Sequence, residues 1–315
     1  MPGMKLSVAE ASPQMVCLGR LTVDDLVLPD GRRMPGCTGG NALYATLGAR
    51  LWQPATEMVA VVGEDLPQQT WKQISAAGFR TDGLRRRPVP TLHNQVTYDE
   101  HGGRSWMQFY SEQDSLLLSP APEDIPPDYL KARIFMVHAM SLEAQERLVT
   151  WLRGHAEGLI ALDLKEAMIP GNEKRIEKLV SKVDFFLPSQ EEALLLAGSR
   201  DWPQVARRFA SWGPRAVAIK RGADGAGVYS ARDGRWYETP AYPVDVVDAT
   251  GAGDAFCGGF LAMALRQPGQ WGTCLRAGAV SASFAIAGYG TMCLAAASRE
   301  EAEQRLGNWT WSFQP

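Results

Sequence analysis

Short apolar runs alternate with longer amphipathic stretches through the second half of the chain. The apolar runs predict strands at residues 134–137, 159–162, 183–187, 216–219 and 227–230. The stretches between them predict helices at residues 142–152, 173–181, 190–196 and 204–212. Strands that are apolar on both faces and alternate with helices favour a parallel sheet that is covered by helices on both sides.

The first half of the chain predicts the remaining core elements and a second, smaller sheet. Strands are predicted at residues 15–18 and 57–62, and helices at 42–52 and 69–77. Two strand-like runs, at 91–98 and 105–110, flank a turn-like segment and predict a hairpin. Together with residues around 20–36, this hairpin could build a small sheet that is separate from the core.

The segment 246–265 combines a strand-like start, a turn of small residues and an apolar helix. Val246 and Val247 are β-branched and predict the end of a strand, and the apolar stripe that starts at Phe256 predicts a buried helix. The amides at the start of such a helix favour an anion. Asp254 stands in the first turn, where a carboxylate is better suited to accept a proton from an attacking hydroxyl than to bind the anion. Tight packing alone would also account for the small residues.

Composition narrows the class of protein. The 315 residues suit one large α/β domain, and the apolar fraction of 45% and charged fraction of 21% are ordinary globular values. The net charge of −3 gives no reason to expect nucleic acid as a partner. No apolar run approaches the ~20 residues that span a bilayer. We see no signal peptide and no disulfide pattern among the five cysteines, so we expect a cytoplasmic protein.

Residues 248–254, Asp-Ala-Thr-Gly-Ala-Gly-Asp, resemble the C-terminal motif of the ribokinase-like (PfkB) family of carbohydrate and nucleoside kinases. Weaker matches follow in the order of that family, near residues 19–41, 62–65, 187–192 and 220–227. The resemblance implies an α/β protein with a ribokinase-like three-layer α/β/α fold, a mainly parallel central sheet and a small β lid. It implies one kinase domain over residues 1–315, with the lid built from about 20–36 and 88–112.

The resemblance also assigns roles to the residues that match its motifs. Asp254 would be the catalytic base, and the amides of Gly251, Ala252 and Gly253 would form an anion hole for the transferred phosphoryl group. Substrate hydroxyls would be bound by Asp24, Gly39, Gly40 and Asn41, besides Asp254 itself. Without the resemblance, Asp24 could lie in a solvated turn and Asn41 could be a helix N-cap.

ATP and Mg²⁺ are the cofactors that the resemblance implies. Glu192 matches the family's Mg²⁺-binding glutamate, although a capping box with Ser189 would explain the same pair. The turn that borders ATP in the family would here supply Lys220, Gly222, Gly225 and Gly227, with Ser189 nearby, whereas a plain hairpin turn is the alternative. Many relatives are activated by K⁺, and Asp248 and Thr250 would lie close to such an ion.

Three positions depart from the family pattern. Tyr44 and Ser189 each replace an asparagine, and Lys165 stands where many relatives have the asparagine of Asp-x-Asn. We expect an ATP-dependent kinase that phosphorylates a hydroxymethyl group of a sugar or sugar-like substrate, with dimerisation through the lid as a further expectation. The alternatives are a nucleoside kinase, since Tyr44 could stack on a base, and a non-catalytic sugar or nucleotide sensor.

Overall fold

A computed structural model describes residues 12–99 and 103–309, apart from the side chain of Gln73. The strands of these residues are β1 (Met15–Arg20), β2 (Thr22–Val27), β3 (Arg33–Gly39), β4 (Thr56–Gly63), β5 (Leu84–Arg87), β6 (His93–Tyr98), β7 (Arg104–Gln108), β8 (Ile134–Val137), β9 (Leu159–Leu162), β10 (Phe185–Phe186), β11 (Ala216–Lys220), β12 (Ala226–Ser230) and β13 (Arg235–Thr239).

The α-helices of the same residues are α1 (Asn41–Arg50), α2 (Gln68–Ala76), α3 (Glu112–Leu117), α4 (Leu142–His155), α5 (Glu173–Val180), α6 (Gln190–Ala197), α7 (Trp202–Ala210), α8 (Ala252–Arg266), α9 (Trp271–Ala285), α10 (Met292–Ala296) and α11 (Arg299–Asn308). Within the described part of the chain, none of the helices has the length and apolar character needed to cross a membrane.

Nine strands form the main sheet, in the order β13-β12-β11-β10-β9-β8-β1-β4-β5. All neighbouring pairs from β11 to β5 are parallel, and β12 is antiparallel to β11 and β13 at one edge. The predicted mainly parallel sheet is therefore confirmed. The chain leaves β1 toward β4 on one side and later returns to β8 on the other, so the strand order reverses at β1, where sheets of this type bind ligands.

Both faces of the main sheet are covered, which gives the protein three layers. One face packs against α1, α8 and α9, with Phe260 and Trp52 among the buried side chains. The opposite face packs against α4, α5, α6 and α7, around Phe186 and Phe209. The parallel strands are buried on both sides, which explains why they are continuous apolar runs in the sequence.

The second sheet has four strands in the order β3-β2-β6-β7 and confirms the predicted small lid. Strands β6 and β7 pair as the antiparallel hairpin that the sequence predicts, although residues 100–102 at its tip lie outside the described residues. Strand β3 continues to Gly39, beyond the predicted limit near residue 36. Residues 112–117 form helix α3 and are not part of the sheet.

Some elements differ from the sequence prediction. Val246 and Val247 do not end a strand, and their side chains are 64% and 41% exposed. The backbone there bonds to Ile286 instead, with the Val247 amide donating to its carbonyl over 2.9 Å, so β-branching alone was a misleading signal. Asn41 is the first residue of α1, and Gly40 is the N-cap, with a φ of 103°. The pattern also missed β5, β13, α3 and α10, which are short or polar.

Helices α1 and α8 approach each other so closely that only glycine fits at two positions. A Cβ on Gly48 would lie 2.5 Å from the carbonyl oxygen of Ala255, and a Cβ on Gly258 would lie 2.0 Å from that of Ala45. This contact fixes where α8 begins relative to the carboxyl edge of the main sheet.

Replacing Gly258 tests the close helix contact. Gly258→Ala should lower the free energy of unfolding by about 1–3 kcal/mol, because the added methyl group would overlap the α1 backbone. Gly154→Ala is the matched control, since Gly154 is an exposed position of α4 with open space around its Cβ. It should be neutral or raise stability by up to about 1 kcal/mol. Equal effects in urea denaturation would contradict the packing argument.

Candidate active site

Polar residues at the carboxyl ends of several strands meet at one edge of the main sheet. Arg20 ends β1, His138 follows β8, and Asp163 follows β9. Lys220 ends β11, and Ser189 forms an isolated parallel bridge with it beyond β10. Because parallel strands place their carboxyl ends at the same edge, residues far apart in sequence lie close together here.

Asp254 stands in the first turn of α8, beside a turn that needs glycine. Gly251 is the N-cap in the left-handed conformation, with a φ of 75°, and a Cβ there would lie 2.2 Å from the Tyr44 ring. The Asp254 side chain is 23% exposed, and its Oδ1 lies 3.4 Å from Nδ1 of the fully buried His138. The turn thus places a partly exposed carboxylate next to the amides at a helix N-terminus.

A pocket of about 310 Å³ joins the lid to this turn. It brings together several residues predicted to bind substrate, namely Asp24, Gly40, Asn41 and Asp254, and it also contacts Gly251. Lys165 lines it as well, and burial together with the nearby Arg20 charge lowers the pKa of Lys165.

Asp24 is a buried carboxylate that faces the pocket. Its Oδ2 accepts a hydrogen bond from Thr22 Oγ1 over 3.1 Å, and its Oδ1 accepts one from Asn94 Nδ2 over 2.7 Å. Burial raises the pKa of Asp24 to about 6, although the two hydrogen bonds act in the opposite direction and lower the pKa. Gly39 allows the approach, because a Cβ there would lie 2.1 Å from Asp24 Oδ2.

Asn41 lines the pocket, but its side-chain amide is hydrogen-bonded to the protein backbone. Its Oδ1 accepts a hydrogen bond from the Arg20 backbone amide over 2.8 Å, and its Nδ2 donates to the Ala139 carbonyl over 2.7 Å. These bonds tie α1 to the ends of β1 and β8. Gly40, immediately before it, leaves no room for a side chain because a Cβ would lie 2.3 Å from the Arg20 carbonyl oxygen.

A buried group of charges lies behind the turn at residues 251–253. Lys220 Nζ is 2.7 Å from Asp163 Oδ1, and it is 3.6 Å from the position that a Cβ on Gly253 would take. Burial alone would lower the pKa of Lys220, but the surrounding acidic groups, chiefly Asp163, together outweigh burial and raise the pKa. Atoms of His138, Asp163 and Asp254 that could bind a metal lie within 4.8 Å of one another, yet Lys220 already supplies a cation to this group.

Ser189 and Glu192 form the capping box that the sequence allowed as an alternative. Ser189 Oγ accepts a hydrogen bond from the Glu192 amide, and Glu192 Oε2 accepts one from the Ser189 amide over 2.8 Å. Burial and the neighbouring Asp163 charge raise the pKa of Glu192 to about 8. A divalent cation would relieve the repulsion between Glu192 and Asp163, so these carboxylates fit Mg²⁺. The capping role of Glu192 is compatible with this.

A second cavity, of about 520 Å³, lies on the other side of the turn. Gly222, Gly225 and Ala252 contribute to its wall, beside apolar residues of α9 such as Ala279 and Ala282. Gly227 was also predicted to bind nucleotide. In the structure it makes room for the Trp236 ring, which would lie 1.9 Å from a Cβ at position 227. The size and apolar wall suit a flat heteroaromatic ligand.

Asp248 and Thr250 are linked to the lid. Tyr98 donates from its hydroxyl to Asp248 Oδ2 over 2.8 Å, and Arg104 Nη1 lies 2.9 Å from Thr250 Oγ1 and 3.4 Å from Asp248 Oδ1. Thr250 donates to Asp248 Oδ1 from both its amide and its hydroxyl. The predicted cation site therefore already contains a guanidinium group.

Several residues of this region were missed by the sequence analysis. His138 directly follows strand β8, but no motif singled it out. Arg20, Asn94 and Arg104 also line the pocket, and the last two come from the lid. The lid residues reach the site only because the second sheet lies over the edge of the main sheet, and a linear pattern does not contain that information.

Comparisons with known proteins agree on one family. The family model described as "pfkB family carbohydrate kinase" matches residues 30–296. A cytidine kinase from Thermococcus kodakarensis is 32% identical over 254 residues, which cover 79% of this chain and 87% of that protein. A fructokinase from Klebsiella pneumoniae is 28% identical over 78% of this chain and 82% of its own length.

Solved structures show the same fold. An E. coli protein assigned as ribokinase II, in complex with ATP and Mg²⁺, matches with a TM-score of 0.76 and 22% identity over 94% of this chain and 99% of that chain. The three-layer architecture with a separate small sheet is therefore the ribokinase fold.

Removing Lys220 tests the buried charge group. Lys220→Met should lower the free energy of unfolding by about 3–5 kcal/mol near neutral pH, because Asp163 loses its counter-ion. The loss should shrink as the pH falls below neutral. Burial raises the pKa of Asp163, so this group is protonated more readily in the folded state, and it destabilises the variant only when it is charged. Urea denaturation of the Asp163→Asn/Lys220→Met double variant should recover most of the loss. A loss that does not depend on pH would contradict this account.

Proposed function

The chain belongs to the pfkB family of carbohydrate kinases, and on this basis we propose that it transfers the γ-phosphoryl group of ATP to a hydroxymethyl group of a sugar or sugar-like acceptor. The observation that carries the proposal is the position of Asp254. Its carboxylate lies at the start of α8 and on the wall of the pocket that also contains Asp24.

Asp254 is the proton acceptor in this proposal. It takes the proton of the acceptor hydroxymethyl as that oxygen bonds to the γ-phosphorus, while the bond from the γ-phosphorus to the bridging oxygen breaks and ADP leaves. His138 lies beside Asp254 and has no hydrogen-bond partner for either ring nitrogen within the described residues. It fills the buried side of the carboxylate and leaves the other side for the acceptor.

The groups around Asp254 suit a developing negative charge. The amides of Gly251, Ala252 and Gly253 are at the positive end of the α8 dipole, and Lys220 lies behind them. Glu192 is the residue that would hold Mg²⁺, which when bound neutralises phosphate charge. The cavity beside Ala252 and Gly225 would take the adenine ring, since it is apolar and adjoins the same turn.

The acceptor pocket has hydrogen-bonding groups for a polyhydroxyl compound. Asp24 accepts hydrogen bonds, and the neighbouring Asn94 uses its Nδ2 for Asp24, which leaves its Oδ1 buried without a partner in the described residues. Two adjacent acceptors of this kind suit the hydroxyls of a diol. Arg20 Nε is a buried donor that also lacks a partner in this part of the chain, and it suits a ring or carbonyl oxygen.

A nucleoside is the second candidate acceptor. Trp106 and Tyr110 line the pocket, and Trp106 is 46% exposed, so that a base could stack on it. Tyr44 is a poorer candidate for stacking than the sequence suggested, because it is 3% exposed and packs on Gly251. The similarity to a cytidine kinase supports this alternative.

We also propose that the lid is the dimerisation surface. Strand β7 is at the edge of the lid sheet, and Trp106, Met107 and Phe109 are exposed on or next to it. An unpaired edge with large apolar side chains is a surface that a second copy could cover.

Asp254→Asn tests the catalytic base. The change removes the proton acceptor and keeps the size of the side chain, so kcat should fall by about 1,000-fold. The affinity for ATP, measured by calorimetry, should change little. The control is Asp245→Asn, an exposed acid in the segment that leads to the same turn. Wild-type turnover by the Asp254→Asn protein would exclude Asp254 as the base.

Asp24→Asn tests the acceptor site. The variant amide accepts hydrogen bonds with one oxygen only, and it has no charge, so KM for the acceptor should rise by about 10-fold or more while KM for ATP stays constant. Asp25→Asn is the matched control, because Asp25 is the next residue of β2 and contacts the Gly36 amide and His93 instead. A similar rise in both variants would argue against a specific contact from Asp24.

A further inference from the structure

The Asp248 carboxylate is buried and is already bound by donors of the chain itself. It accepts hydrogen bonds from Tyr98 Oη, from the Thr250 amide and hydroxyl, and from Arg104 Nη1. Three of these donors share Oδ1, and Tyr98 uses one of the two lone-pair sites of Oδ2, so one site on Oδ2 remains. The Asp248 side chain is 1% exposed, and a guanidinium nitrogen of Arg104 already lies 3.4 Å from it. A buried carboxylate that has this cationic partner does not fit K⁺ as a second cation.

Arg104 supplies positive charge at the same place. Its Nη1 is 3.4 Å from Asp248 Oδ1 and 2.9 Å from the hydroxyl of Thr250, the residue before Gly251. A guanidinium group stays protonated at any pH at which the protein is folded, so this charge does not depend on the salt present. Its contacts reach the turn that we assign as the anion hole.

The charge matters because two carboxylates flank this turn. Asp248 and Asp254 lie at its two ends, and an incoming phosphoryl group adds negative charge between them. Like charges at such short range repel strongly where water is excluded. A compensating cation at Asp248 lowers this repulsion, and Arg104 provides it from strand β7 of the lid.

We infer that Arg104 takes the place of a monovalent cation at Asp248, so that phosphoryl transfer by this chain does not require K⁺ and depends instead on contact between the lid and the turn. This inference rests on the proposed function for its kinetic consequences. It also makes a statement about ion binding that holds whatever the acceptor is.

Ion binding is tested first, by thermal unfolding without ATP or acceptor. The wild-type protein is compared in KCl and in choline chloride of equal ionic strength, with Asp248→Asn measured in both. We expect no rise in Tm that is specific to K⁺. A K⁺-specific rise in the wild-type protein that is absent from Asp248→Asn would overturn the inference, even if no acceptor had been found.

Turnover is tested next, with an acceptor that the wild-type protein phosphorylates. We expect wild-type rates in the two salts to agree within about twofold, and Arg104→Ala to be slower by about 10–100-fold. Low-millimolar guanidinium chloride should restore part of the rate to Arg104→Ala. The matched control is Arg33→Ala, because Arg33 is an exposed arginine on strand β3 of the same sheet. Guanidinium chloride should not accelerate turnover by this control variant.

The outcomes separate this inference from the proposed function. Three results would each overturn the role of Arg104. They are strong activation of the wild-type protein by K⁺, wild-type turnover by Arg104→Ala, and a folded Arg104→Ala protein whose turnover guanidinium does not restore. Absence of turnover by the wild-type protein with every acceptor would count against the proposed function, and the unfolding measurement would still decide the question of the ion.

Discussion

The close crossing of α1 and α8 is the constraint on which the site depends. Gly48 and Gly258 allow the two helix backbones to touch, and Gly251 allows the Tyr44 ring of α1 to pack against the turn before α8. A larger side chain at any of these positions would shift the start of α8. The position of Asp254 relative to the sheet edge is thus set by small residues that do no chemistry themselves.

The same edge of the sheet concentrates charge, and two of its acidic residues are paired with cations. Lys220 neutralises Asp163 behind the turn, while Arg104 neutralises Asp248 in front of it. Asp254 lies between these two pairs and has only His138 beside it. Among the described residues Asp254 makes no ion pair with a lysine or arginine, which suits a proton acceptor. Lys220 and Asp163 both belong to the main sheet and its loops. Arg104 belongs to the lid, so its pair with Asp248 forms only when the lid contacts the turn.

The sequence was sufficient for the order of the core elements and insufficient for the contacts that depend on the second sheet. Alternating apolar runs predicted the parallel sheet because burial on both faces leaves a strong local signal. The motif at 248–254 placed Asp254 in the first turn of a helix, and the left-handed conformation of Gly251 explains why the turn before that helix has a glycine. The contacts of Asp248 with Tyr98 and Arg104 span about 150 positions, and no local pattern encodes them. The amide of Asn41 was assigned to substrate, but the structure uses it to join β1 and β8.

Phosphorus-31 NMR of the product tests the central claim most directly. The protein would be incubated with ATP, Mg²⁺ and a panel of pentoses, hexoses, ketoses, sugar acids and nucleosides, and ADP would be measured alongside. The account predicts ADP in equal amount to a new phosphomonoester whose phosphorus couples to the two protons of a hydroxymethyl carbon. Release of ADP that does not depend on any acceptor, or phosphate on a secondary ring hydroxyl, would contradict it.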